Sequence, residues 1–250
     1  MQPALPFVFL FGTIIGSLLN ALVYRLRQGI TLWGRSQCPS CKENIHPAHL
    51  VPVLSYFFLG GKCASCGKRI HFSYPLVEFL GGIVWLIAFW HQPEMVGFVL
   101  EAFFFTYLLF VAAFDARWKL LPIEPMAGMA LIGLIIQFFD GDLVSSALGL
   151  VLGAGFLGLQ YLVSRGKWMG LGDLWLGASI GAWLGWQGTA VALYLCYLGG
   201  GLVAVLVLGL GHWKKGQRVA FAPFLALGAI GSVLFGSVIY AWFAGAVGLA

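Results

Sequence analysis

Charge is scarce in this sequence: Lys, Arg, Asp and Glu together make up 9% of the 250 residues, against about 25% in an ordinary soluble domain. That shortage, beside a hydrophobic share of 60%, excludes a fold that faces water on every side. Basic residues are absent from most of the chain. All 14 fall in four short zones: Arg25 to Arg69, Arg117 and Lys119, Arg165 and Lys167, and Lys214 to Arg218. A net charge of +5 distributed in this way marks membrane topology rather than a nucleic-acid surface. No basic residue precedes the apolar run from Met1 to Leu10, so this run reads as a retained first helix and not as a cleaved signal peptide. Low-complexity tracts and convincing internal repeats are also missing, as is any βαβ nucleotide-binding fingerprint.

What the chain does have is long apolar runs and 35 glycines. In a bilayer, glycine lets helix backbones approach closely. The fold class expected is therefore all-α, a polytopic membrane helical bundle of about eight transmembrane helices. The spans are placed near residues 5–24, 75–91, 96–114, 120–139, 143–163, 172–187, 189–211 and 221–245. Two crossings fit between each pair of basic zones. All four zones then share one side, which the positive-inside rule makes cytoplasmic, and both termini face outward. The opposite turns, near His91 to Glu94, Asp140 to Asp142 and Trp186 to Thr189, carry no Lys or Arg.

Only the stretch from Arg27 to Tyr74 is long enough to fold outside the bilayer, and its modest apolar content calls for a staple. It carries Cys38-Pro39-Ser40-Cys41 and Cys63-Ala64-Ser65-Cys66. Two CxxC pairs supply four thiolates for a tetrahedral structural zinc site, a small cytoplasmic zinc knuckle with ligands Cys38, Cys41, Cys63 and Cys66. The competing readings are two disulfides, which the reducing cytoplasm disfavours, and a redox pair, for which no thioredoxin-like βαβ pattern exists. His46, His49 and His71 lie nearby and read as surface histidines, because four cysteines already complete a tetrahedron. Cys196 stands inside a span and reads as packing. His91 and His212 fall at membrane interfaces and carry no assignment. The domains expected are 1–26, a first transmembrane helix; 27–74, the four-cysteine loop; and 75–250, the transmembrane core.

Of nine acids, the informative ones lie in or beside apolar helices: Glu78, Glu101, Asp115, Glu124 and Asp173, because hydrocarbon opposes an unpaired carboxylate. Asp115 ends the third expected span in Asp115-Ala116-Arg117-Trp118-Lys119-Leu120-Leu121-Pro122. Asp173 opens the sixth in Gly170-Leu171-Gly172-Asp173. Both flank basic residues assigned to the cytoplasm, which puts them at one depth. Two neighbouring carboxyls share a proton, one acting as base toward water and the other polarising a scissile carbonyl. The glycines before Asp173 would let an extended substrate backbone approach. The bland reading of either acid alone is a structural carboxylate paired with Lys119, Arg117 or a helix N-terminus. Glu78 lies near the cytoplasmic face, where a site role is open to it, and Glu101 reads as an interhelical hydrogen-bond acceptor.

These motifs, in this order, resemble the bacterial prepilin peptidases, the GxGD aspartyl proteases also called type IV leader peptidases, over nearly the whole chain. The elements are Gly16-Ser17-Leu18-Leu19-Asn20 with Tyr24-Arg25-Leu26, and then the cysteine pairs with Val51-Pro52-Val53-Leu54-Ser55-Tyr56 and Gly60-Gly61-Lys62 between them. Tyr74-Pro75-Leu76-Val77-Glu78 follows, then Asp115 seven residues before Pro122, and Gly170-Leu171-Gly172-Asp173. Gly181-Ala182-Trp183, Gly185-Trp186-Gln187 and Ala222-Pro223-Phe224-Leu225-Ala226 close the series. One departure is visible: many relatives place Asp directly after the proline, whereas Ile123 and Glu124 follow Pro122 here.

The resemblance implies that Asp115 and Asp173 are the catalytic pair. It implies cleavage of basic leader peptides from prepilins and pseudopilins at the cytoplasmic face of a bacterial inner membrane, serving pili or type II secretion. It also implies N-methylation of the new N-terminus with S-adenosylmethionine, since many members with the cysteine loop carry that second activity. Two other classes remain in view: a proton-coupled transporter, which needs carboxylates near mid-membrane, and a metal-stabilised assembly scaffold, which leaves both aspartates idle.

Overall fold

The computed structural model describes residues 4–210 and 220–247. The expected basic zone Lys214 to Arg218 and His212 lie outside the described residues. The elements are helices: α1 Leu5–Gln28, α2 Leu54–Phe58, α3 Ser73–His91, α4 Met95–Trp118, α5 Ile123–Asp140, α6 Leu143–Ser164, α7 Leu171–Gly209 and α8 Ala222–Val247, with a 3-10 turn at Pro47–Leu50. Among the described residues, extended pairing is limited to two isolated bridges in the cysteine loop. This is the architecture lipid demands, because a helix satisfies its backbone polar groups within its own segment. All the helices except α2 are long and apolar enough to cross a bilayer. The chain divides into two compact units, with the boundary inside α4 after Ala113.

In the first unit α1 and α3 run antiparallel at very short range. A Cβ on Gly12 would come 2.6 Å from the carbonyl oxygen of Gly81, and one on Gly16 would come 2.7 Å from Cα of Glu78. At the end nearest the cysteine loop, Asn20 Nδ2 donates to the carbonyl of Tyr74 at 2.9 Å. Helix α1 stops at Gly29, which adopts φ 62° and returns its N–H to the carbonyls of Arg25 and Leu26, a turn that favours a residue without Cβ. At the far end of α3, Glu101 Oε2 accepts from Gln92 Nε2 at 2.9 Å and lies 2.8 Å from His91 Nδ1. Glu101 is thus the interhelical acceptor its sequence position predicts.

In the second unit, one apolar helical stretch covers 36 residues, Leu171–Leu206. Straight, it would extend about 54 Å, nearly twice the roughly 30 Å hydrocarbon thickness. Gly185, at φ 69° and ψ 177°, interrupts it. Two contacts on α6 establish that the chain reverses there. Leu174 lies where a Cβ on Gly158 would meet it at 3.0 Å, and Tyr197 Oη donates to Gln160 Oε1 at 2.8 Å. In a straight helix Leu174 and Tyr197 would be about 34 Å apart, too far to share one turn of α6. The two arms of α7 are therefore separate crossings, which brings the spans to the expected eight. The break falls at Gly185, slightly earlier than predicted.

Glycines set the spacing of this unit as well. A Cβ on Gly177 would sit 2.8 Å from the Gly153 carbonyl oxygen, and Gly149, Gly153 and Gly181 leave still less room. On the other side, Ser232 Oγ on α8 donates to the Gly188 carbonyl at 2.7 Å. Gly153→Ala will force α6 and α7 apart, at an overpacking cost of about 1–3 kcal/mol. Gly155→Ala, two residues on and on the opposite, exposed side of α6 with nothing within 4 Å, will be neutral or stabilising by about 0.5–1 kcal/mol. Thermal unfolding of the two variants in detergent measures this, and equal midpoints would contradict the packing.

Candidate active site and four-cysteine cluster

Asp115 lies inside the last turn of α4, which runs further than the expected span end at residue 114. The helix closes with Lys119 in a left-handed conformation, φ 51°, its N–H bonded to the Asp115 carbonyl at 2.8 Å. The Asp115 side chain is buried at 7% exposure. Its Oδ2 accepts from the N–H of Ala222 at 3.0 Å, and the Phe221 N–H faces the same carboxyl. The first N–H groups of a helix have no partner within it, and Pro223 offers none. The start of α8 therefore presents its orphan donors and the positive end of its dipole to Asp115, with the Lys119 charge also acting on it.

Asp173 is the third residue of α7, at 8% exposure. Its Oδ2 reaches back to the N–H of Gly170 at 2.8 Å, while its own N–H donates to the Gly170 carbonyl at 3.2 Å. This is the acidic half of a capping box, made here with aspartate, while the main-chain carbonyl of Gly170 takes the Asp173 N–H in place of a capping side chain. The loop is pressed onto the connector after α4: a Cβ on Gly172 would meet Cβ of Leu121 at 2.6 Å. Gly172 is thus required by packing against the Leu120-Leu121-Pro122 segment, a use that differs from the substrate approach predicted for it.

Both carboxyl groups belong to the second unit, and they are near enough for the charge on Asp115 to act on Asp173. The Asp173 charge also reaches Cys196 and Tyr197 on the returning arm of α7, as the reversal at Gly185 requires. Cys196 is 1% exposed and packs in the interior, as expected. Sequence reasoning missed the Ala222 N–H as the partner of Asp115. The Ala-Pro pair at a helix start was the available signal, because proline there leaves its neighbour's N–H as the donor.

The four cysteine ligand atoms all lie within 4.8 Å of one another, with Cys38 Sγ 3.9 Å from Cys66 Sγ. All four thiols are free. Four sulfurs about 2.3 Å from a tetrahedral zinc would stand about 3.8 Å apart, so the donor set and its spacing fit that ion. Main-chain N–H groups of Cys66 and Ser65 aimed at Cys63 pull its thiol down to about 7. Against the pull of the Glu43 N–H, desolvation and the Cys38 and Cys66 sulfurs push Cys41 up to about 11. A dication removes that mutual repulsion.

The cluster is built from two copies of one turn, which corrects the expectation of no repeat. Cys38 N–H bonds the Glu43 carbonyl at 3.0 Å and Cys63 N–H bonds the Lys68 carbonyl at 2.9 Å. Lys42 and Gly67 return their N–H groups to Cys38 and Cys63, each at 2.9 Å. Bridges Gln37 to Asn44 and Lys62 to Arg69 close the two turns. The shared pattern is Cys-x-Ser-Cys-x-x-x-Ile-His, ending at His46 and His71. Those histidines are not ligands in either copy. Each turns Nδ1 toward a main-chain N–H two residues on, Ala48 at 3.3 Å and Ser73 at 3.1 Å.

Residues 10–92 match the bacterial peptidase A24 N-terminal domain, and residues 102–247 match the type IV leader peptidase family. A Bacillus subtilis (strain 168) protein described as a prepilin leader peptidase/N-methyltransferase is 32% identical, the match covering 96% of this chain and 97% of the relative. Proteins of the same description from Neisseria gonorrhoeae, at 33% identity over 93% of this chain and 90% of the relative, and from Pseudomonas putida, at 31% over 96% and 94%, are similar throughout. No solved structure matches. With both its halves matched in order and its relatives spanned almost end to end, the chain belongs to the type IV leader peptidase family.

Proposed function

We propose that this chain is a membrane aspartyl endopeptidase that removes the basic leader of prepilins and pseudopilins, with Asp115 and Asp173 as the catalytic pair. The observation that carries this reading is that two buried carboxyls from the ends of different helices sit within range of each other's charge. One carboxylate takes a proton from water as the water oxygen bonds to the scissile carbonyl carbon. The other, protonated, stabilises the developing oxyanion. Collapse of the tetrahedral species breaks the C–N bond, and the leaving nitrogen takes the proton. Both acids lie at helix ends rather than mid-span, which disfavours the transporter reading.

Asp115→Asn and Asp173→Asn will each lower leader cleavage by purified protein at least about 1,000-fold, a loss of roughly 4 kcal/mol of transition-state stabilisation. Asparagine keeps an oxygen acceptor for the Ala222 or Gly170 N–H, so the unfolding midpoint will move little. Cleavage at the wild-type rate by either variant would remove the pair.

The same reading includes N-methylation of the exposed amine with S-adenosylmethionine, a structural zinc at the four cysteines, and a bacterial inner-membrane location with the cysteine loop in the cytoplasm. Purified protein will carry one zinc per chain by elemental analysis. Cys38→Ser or Cys66→Ser will lose the metal and loosen the loop, because metal binding and local folding are coupled. After metal removal, the loop thiols will label in inside-out vesicles and stay protected in right-side-out vesicles. Absence of metal together with few free thiols would return the disulfide reading, and labelling from outside would invert the topology.

A further inference from the structure

The peptidase chemistry leaves one large cavity of the first unit without a task. A cavity of about 910 Å³ lies between α1, the cysteine loop and the start of α3, at the upper end of the range that holds drug-sized ligands. Its one partly buried acid is Glu78. Ser17 Oγ donates to Glu78 Oε1 at 2.9 Å and the Val53 N–H to Oε2 at 2.7 Å. Both donors are neutral, and among the described residues no Lys, Arg or His pairs with this carboxylate. A carboxylate at a membrane edge held only by neutral donors lacks a counter-charge.

The arm that reaches Glu78 is itself unusual. Val53 has φ 63° and ψ −53°, and Leu54 N–H closes onto the Pro52 carbonyl at 2.6 Å. This is the rare, strained hand of the γ-turn, imposed on a β-branched residue. Strain of this kind persists where surrounding structure fixes it, and it concentrates at ligand clamps. Tyr56 and Tyr74 also line the cavity, supplying faces for an aromatic base and for a cation, while Lys42 already sits over the ring of Tyr24. Exposed Arg35, Lys68 and Arg69 stand at its rim. The guanidinium of Arg25 is already engaged by the carbonyls of Leu32, Gly34 and Arg35.

We propose that this cavity is the methyl-donor site, taking an S-adenosyl sulfonium with its cationic end at Glu78 and its carboxylate toward the basic rim. The proposal rests on the methyl-transfer part of the function proposed above. A basic leader peptide is the poorer occupant, since the rim repels it. In the reaction served, the amine lone pair forms the N–C bond as the C–S bond breaks onto sulfur, leaving a neutral thioether, and the ammonium product loses a proton to water. Glu78 interacts with the positive sulfonium and has no charge to meet in the thioether.

Equilibrium binding of S-adenosylmethionine and of S-adenosylhomocysteine to the purified full chain tests this, with leader cleavage assayed in parallel. Glu78→Gln will weaken the sulfonium at least 10-fold and the neutral thioether less than 3-fold. Lys68→Glu, at an exposed position, will weaken both ligands, and both variants will cleave leader peptide at the wild-type rate. If wild-type protein methylates but neither variant moves either affinity, this site is wrong while methyl transfer stands. If Glu78→Gln weakens both ligands equally, its role is structural and the charge pairing is overturned. If wild-type protein neither binds nor methylates, the site and the methyl-transfer reading fall together while the peptidase stands. Weakened binding of a leader peptide alone would give the cavity to the peptide and overturn the proposal.

Discussion

A carboxylate at the edge of hydrocarbon must find hydrogen-bond donors that do not themselves need to be buried at a cost, and this requirement organises the second unit. A helix start supplies such donors, because its first N–H groups are unpartnered whatever the sequence. Asp115 takes them from α8, a different helix. Asp173 takes one from the first turn of its own helix. The helix ends then cannot be placed freely. Helix α8 must begin beside the last turn of α4, and α7 must begin beside the connector that follows it, where Gly172 packs on Leu121.

Holding two helix ends at a fixed separation requires a rigid frame, and lipid provides little hydrophobic drive for helices to associate. Close backbone approach supplies it instead. Gly149, Gly153, Gly177 and Gly181 bring α6 and the first arm of α7 to a distance that no side chain would allow. The reversal at Gly185 then returns the second arm along α6, where Tyr197 bonds Gln160. Dispersion between facing backbones falls steeply with separation. The glycine faces therefore fix the height of Asp173 relative to its neighbours more tightly than larger, rotameric side chains would.

The helices and the two aspartates were legible in the sequence because hydropathy and rare charge are strong signals in a chain with so few polar residues. Boundaries were less legible for identifiable reasons. Asp115 marked the apparent end of a span by hydropathy, yet helical hydrogen bonding continues through Trp118, since nothing before Lys119 breaks it. The expected break near Trp186 to Thr189 lies at Gly185, one glycine among many. The duplicated cysteine turn escaped notice because five matching residues are diluted by unlike neighbours. Its likeness resides in main-chain hydrogen bonds, with a left-handed Lys42 in one copy and Gly67 in the other.

The buried and half-buried acids differ in what neutralises them, in step with the roles proposed for them. Glu101 faces His91 and Gln92 through Oε2, a partner able to carry the opposite charge, and serves as an interhelical tie, although its Oε1 is buried without a hydrogen-bond partner. Asp115 and Asp173 are met by helix starts, whose partial charge stabilises an anion without a bound cation occupying the space a water needs. Glu78 has only neutral donors and an open cavity before it, so its missing counter-charge has room to arrive from solution. The proposed dyad needs room for a water between its carboxyls, with Lys119 acting on Asp115 only through its charge, whereas the proposed sulfonium site needs an anion still unpaired. Under the proposed roles these different demands fall to different acids, Glu78 in the first compact unit and Asp115 with Asp173 in the second.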